Sequence, residues 1–195
     1  MPIARTLRPT ARTLTLLGVV ALAAVAALTV VVAPSAADDN DEPDPIGAQP
    51  LSPRGEFTDD VAIQVRDKPD RRPTEVVNFR EASHLTVVEI TIQPGAMFPW
   101  HTHPGTALGI IAEGDADGAF EYIYADDCVV RPYEKGEVFV DPGGENVHMA
   151  RNPSTEHETV VMVTFVGVPE EGPLTLPVDP QEGANLDERC GIERE

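Results

Sequence analysis

The residues best suited to chemistry sit in Gly95-Ala96-Met97-Phe98-Pro99-Trp100-His101-Thr102-His103-Pro104-Gly105. Two histidines two positions apart in an extended segment put both imidazoles on one face. Pro104-Gly105 then ends that segment in a turn. Imidazole ligates zinc, copper, iron and nickel, so such a face is half of a metal site. A third histidine, His148, opens a later run just after the turn Pro142-Gly143-Gly144 and is the candidate third ligand. No Ser-His-Asp or Cys-His arrangement appears beside it, so any catalysis rests on the metal.

The same alternation assigns the neighbours. Met97 and Pro99 share the histidine face and are pocket-lining candidates, with Thr106 just beyond the turn. Trp100 falls on the opposite face, where packing is its expected role, and Phe98 is expected between sheets. Phe120, Tyr122 and Tyr124 alternate along one run and read as core, with a ligand cavity as the other use. His84 and His157 are assigned to the surface. Asn152 is expected to bond the backbone of its own turn.

The elements that must position these groups are short. β-rich runs bounded by turn residues cover 61–66, 74–79, 85–93, 96–103, 106–112, 118–124, 128–133, 137–141, 147–152 and 158–167. Within Leu85–Gln93, Val88, Ile90 and Ile92 fall on one face and Glu89, Thr91 and Gln93 on the other, the period of a half-buried strand. Gly114 to Gly118, Lys135-Gly136 and Pro142-Gly143-Gly144 punctuate the runs at close spacing. No stretch carries a helical period. Regularly spaced short strands predict an all-β sandwich or barrel.

The two histidine stretches resemble the two motifs of the cupin superfamily. Gly95, His101-Thr102-His103 and Gly114 match the first. Gly136, Pro142-Gly143-Gly144, His148 and Asn152 match the second, with three residues rather than two between the inner glycine and the histidine. The resemblance is to small single-domain cupins of the kind common in actinobacteria. It implies a double-stranded β-helix, a jelly-roll barrel, with His101, His103 and His148 pointing into its mouth and holding a divalent metal. The family's glutamate, four or five residues after the second histidine, is missing. Ala107 and Leu108 stand there.

Three neutral imidazoles leave a metal's double charge uncompensated. The site is therefore expected to keep an open position for water or hydroxide and to favour anionic ligands. Glu89 and Glu121 are candidates to swing in as a fourth ligand. Hard magnesium and calcium are disfavoured without oxygen donors. Iron, zinc, copper and nickel remain open, and manganese is less suited. Two function classes follow. One is a metal-dependent cupin, a binding protein or an enzyme of dioxygenase, isomerase or hydrolase type. The other is a metal-free cupin that binds a small ligand or serves an envelope structure. A homodimer fits both.

The rest of the chain supplies address and tether. Residues 1–12 carry Arg5, Arg8 and Arg12 and no acid, residues 14–33 carry no charge, and Ala33-Pro34-Ser35-Ala36-Ala37 precedes an acidic run. This is the pattern of a secretory signal cleaved after residue 37. The 20 uncharged residues are also long enough for an uncleaved membrane anchor, the only membrane contact expected. Either way the remainder is expected to be extracytoplasmic. In such a compartment the two cysteines, Cys128 and Cys190, most simply form one disulfide, with a Cys128 thiolate ligand as the competing use.

Residues 38–58 form an acidic, proline-rich linker with too little apolar content to order itself. The barrel is expected over 59–168, and 169–195 as a tail tethered by Cys190. The chain's net charge is −19, and −22 without residues 1–37. That excludes nucleic acid as a partner, because phosphate binding needs clustered Lys and Arg. A small molecule is the expected ligand.

Overall fold

The structure is a computed structural model that describes residues 44–68, 73–80, 82–116 and 118–194. The signal or anchor segment at 1–37 and the first residues of the expected linker lie outside these. No helix among the described residues is long and apolar enough to cross a membrane.

Among the described residues, thirteen strands and one helix follow in order. The first five strands are β1 (Ile46–Pro50), β2 (Gly55–Glu56), β3 (Ile63–Asp67), β4 (Glu75–Phe79) and β5 (His84–Ile92). Next come β6 (His101–Thr102), β7 (Thr106–Glu113), β8 (Phe120–Tyr124), β9 (Val130–Tyr133) and β10 (Val138–Asp141). The chain closes with β11 (His148–Arg151), β12 (Thr159–Val168), β13 (Leu176–Pro177) and α1 (Pro180–Cys190).

Two antiparallel sheets face each other. One runs β1-β5-β12-β7-β10, with β2 also on β5, and the other β13-β6-β11-β8-β9; β3 and β4 make a separate hairpin. The alternation in β5 and β12 explains the first sheet. Val88 and Ile92 of β5 and Val161, Val163 and Phe165 of β12 are buried, Ile90 packs partly buried on the same face, and the alternate residues turn outward. The opposite wall supplies Phe120, Tyr122, Tyr124 and Ala150. This is the jelly-roll arrangement anticipated from the spacing of the runs.

Three segments depart from expectation. β1 and β2 order part of 38–58, the supposed linker, because their backbones pair with β5 and their side chains need not be buried. The run 96–103 is not one strand. Only His101–Thr102 pairs as β6, with an isolated bridge from Met97 to Arg151. The tail contains a helix. Asp179 caps α1 by accepting from the backbone N–H of Gln181 at 2.8 Å, Pro180 opens it, and Gly191 ends it at φ +65. Those are ordinary start and stop signals.

The helix is fastened to the β6 side of the barrel. Leu186 is buried with Trp100, Ile123, Ala125 and Met149. The indole Nε1–H of Trp100 donates to Asp187 Oδ1 at 2.7 Å. A disulfide joins Cys128 to Cys190 across 62 residues. The segment after β12 is thus a strap, with β13 paired to β6.

Candidate metal centre

The two sequence motifs meet through strand pairing. β11 lies against β6 with His148 opposite His101. His103 follows β6 by one residue and is equally buried, so the three rings crowd together with centroids 4.2 to 5.1 Å apart. One donor atom from each ring lies within 4.8 Å of the other two. Two donors on one ion, with bonds of about 2.1 Å, stand about 3.0–4.2 Å apart, so small ring rotations bring all three onto one point.

The orientation of each ring follows from its other nitrogen. Nδ1 of His101 lies 2.7 Å from the Pro99 carbonyl oxygen, that of His103 2.6 Å from Leu174 O, and that of His148 3.2 Å from Asn146 O. A carbonyl oxygen only accepts, so each Nδ1 carries the proton and each Nε2 presents a lone pair. Carbonyl partners of this kind are what fix ligand histidines. Burial holds all three imidazoles neutral. The value for His103 falls to about 4, through desolvation first and the neighbouring His101 second. His101 is lowered by desolvation, and His148, the most buried, well below its ordinary value. The donor set therefore fits a transition metal.

A fourth group stands beside them. Asp141, at the end of β10 and 1% exposed, places Oδ2 3.3 Å from His103 Nε2 and 3.5 Å from His148 Nε2. Its Oδ1 accepts from the Gly143 N–H at 2.8 Å. Gly143 is held at φ +76, and a Cβ there would lie 2.2 Å from the Gly105 carbonyl oxygen, so only glycine fits this turn. The missing glutamate predicts three imidazoles with no carboxylate near them, and a buried carboxylate nevertheless lies beside two of the rings. β10 pairs with β7 so that Asp141 lies opposite Ala107, where the expected glutamate is missing. Glu89 and Glu121 play no part: Glu89 is on the outward-facing side of β5, and Glu121 is ion-paired with Arg151 at 2.5 Å.

Between the sheets, next to the rings, lies a cavity of about 50 Å³. Ile92, Phe98, Phe120, Phe139, Val163 and Phe165 are among the apolar residues of its wall. Tyr122 also lines it, its ring stacked on His148 with centroids 4.6 Å apart. The three residues expected to line it do not. Met97 packs towards the Trp100 cluster, Pro99 is exposed, and the Thr106 hydroxyl donates to the Pro142 carbonyl. Parity fails because 97–100 is not a regular strand, so Phe98 rather than its neighbours faces inward. Trp100 packs against α1. Asn152 donates to the carbonyls of Ile92 and His157, as expected of a turn-fixing amide. His157 is exposed and pairs with Asp115 at 2.7 Å. His84 is buried rather than on the surface.

The family model described as Cupin domain matches residues 88–165, the span that holds all three histidines and Asp141. These residues are a cupin domain. Solved structures resemble the chain at the level of fold. The polyketide cyclase RemF from Streptomyces resistomycificus is 17% identical, with 54% of this chain and 68% of that one covered, at a TM-score of 0.41. An RmlC-like cupin from Shewanella frigidimarina is 21% identical over 46% and 76%, with a TM-score of 0.36. KdgF from Halomonas sp. is 17% identical over 64% and 83%, with a TM-score of 0.40. At these scores none of them bears on activity. No curated protein matches the chain.

Proposed function

We propose that this cupin is an exported metalloprotein holding one divalent transition metal on His101, His103 and His148, where it takes a small, weakly polar molecule. The observation that carries the reading is the gathering of one donor atom from each of three imidazoles within 4.8 Å of one another, on rings whose Nδ1 atoms face carbonyl oxygens. Imidazoles held neutral by burial are competent ligands at neutral pH without first losing a proton. Zinc, iron, copper and nickel suit them. When bound, such an ion supplies a Lewis acid, and iron or copper adds one-electron chemistry with dioxygen.

The chain's own residues do the rest. The carbonyls of Pro99, Leu174 and Asn146 aim the rings. The aromatic and aliphatic wall excludes water and gives a ligand apolar contact. The cavity of about 50 Å³ has room for a few water-sized groups, which favours a small ligand. The Cys128–Cys190 disulfide supports a location outside the cytoplasm.

The test is elemental analysis of tag-free protein purified without added metal, beside a His101→Ala/His148→Ala variant. The expected result is about one transition metal per wild-type chain and a loss in the variant. If the wild type carries no more than the variant, even after incubation with iron or zinc, the metal reading fails and a metal-free binding role takes its place.

A further inference from the structure

We propose that Asp141 is the fourth ligand of this centre, a carboxylate delivered from β10 in place of one on β7. The inference rests on the metal reading above and adds an anionic donor to it.

Three observations carry it. The first is distance. Two donors sharing one ion at angles of 90–110° stand about 3.0–3.4 Å apart. Asp141 Oδ2 is 3.3 Å from His103 Nε2 and 3.5 Å from His148 Nε2.

The second is polarity. Both histidine nitrogens present lone pairs, because their protons are on Nδ1. Oδ2 presents lone pairs too. It is buried and makes no hydrogen bond of ordinary geometry, and the one donor beside it, the buried Tyr122 hydroxyl, is likewise left without a well-aligned partner. Acceptors facing acceptors in an apolar cavity are costly unless something positive lies between them. A divalent ion satisfies all of them at once. In its absence a proton on Oδ2 satisfies only one.

The third is placement. Asp141 and Ala107 are cross-strand partners on the inward face, with Phe139 and Gly109 the next inward pair. A carboxylate at either member of the pair reaches the same region. Ala107 is 2% exposed and lines the cavity beside the rings. The Gly143 N–H holds Oδ1, which leaves Oδ2 to face the rings.

The consequence is a different electrostatic character for the centre. Three imidazoles and one carboxylate reduce the charge of a divalent ion to a net single positive charge. Such a site binds divalent ions more tightly than three imidazoles alone, and it attracts anionic ligands less.

The test compares wild type with Asp141→Asn. The amide matches the neutral acid in shape and gives up the charge, so the variant keeps the metal-free fold. Zinc affinity is measured by competition with a chromophoric chelator, and the ligand field by the visible absorption of the cobalt-loaded proteins. The expected result is at least about a 100-fold loss of zinc affinity, with a changed cobalt spectrum. A crystal structure of the zinc-loaded wild type is the second measurement and needs no variant. Zinc within about 2.2 Å of Oδ2 is expected. If the wild type loads zinc, D141N matches it in affinity and spectrum, and Oδ2 stays beyond 3 Å, the carboxylate assignment is overturned and the three-histidine centre stands. If the wild type loads no more zinc than the His101→Ala/His148→Ala variant, the metal reading itself has failed.

Discussion

Replacing Cys128 and Cys190 together by serine tests how the strap serves the centre. The bridge closes a loop of 62 residues. On the chain-entropy account, that loop costs the unfolded chain about 14 cal/mol/K, or about 4 kcal/mol at 25 °C. What then holds the strap is modest. Burial of Leu186 contributes about 2 kcal/mol. The charge-assisted bond from Trp100 to Asp187 contributes about 1.5–3 kcal/mol. The pairing of β13 with β6 covers only two residues. Each ordered strap residue costs about 1–2 kcal/mol of backbone entropy. The strap should therefore come away before the barrel unfolds. Its departure removes Leu174 O from His103 Nδ1 and weakens metal binding about 10-fold or more.

The assay is built into the chain. Trp100 is its one tryptophan and packs on α1, so indole fluorescence reports the strap while far-ultraviolet circular dichroism reports the sheets. In urea the wild type should show coincident transitions. In the double serine variant fluorescence should change first, and zinc affinity should fall. Coincident transitions, a stability within about 1 kcal/mol of wild type and unchanged affinity would together refute the reasoning.

Two further outcomes are expected. In protein stripped of metal, the buried histidines stay neutral while the unfolded chain takes up protons near pH 6.5, so their contribution, complete above that pH, is lost as pH falls towards about 4. Asp141 has the opposite sign: its folded form keeps a proton up to about pH 7, and stability is lost as pH rises from about 4 to that value. Metal-free D141N should therefore exceed wild type by a few kcal/mol at pH 8 and match it near pH 4. Urea midpoints at the two pH values check this, and a D141N protein weaker than wild type at pH 8 contradicts it. Gly143→Ala combines a positive φ with a Cβ 2.2 Å from a backbone oxygen, so a loss of at least about 2 kcal/mol is expected in thermal melts. A change below about 0.5 kcal/mol would mean that the turn tolerates a side chain.

Much of the barrel was legible because its strands bury one face. β5 and β12 carry alternating patterns strong enough to place both ends within a residue or two. β1 and β2 were hidden for the complementary reason. They are held by backbone pairing to β5 and bury little, so composition marks them as linker. The helix was hidden by the same acidic, proline-rich composition, although Asp179-Pro180 and Gly191 bracket it as start and stop. The three histidines were readable from motif spacing. The carboxylate was not, because the motif's spacing points to β7 beyond His103, and Asp141 sits on the hydrogen-bonded neighbour, β10. One signal was available: Asp141 shares parity with Phe139, and an acid on the inward face of a strand is rare unless something positive awaits it.

The Leu174 contact also fixes an order of assembly. The ring donors are all in place in the chain by residue 148, yet the oxygen that aims His103 belongs to a later segment whose covalent fastening comes with the cystine at residue 190. If the centre takes a metal, an ion arriving before oxidation would meet a looser imidazole than one arriving after it.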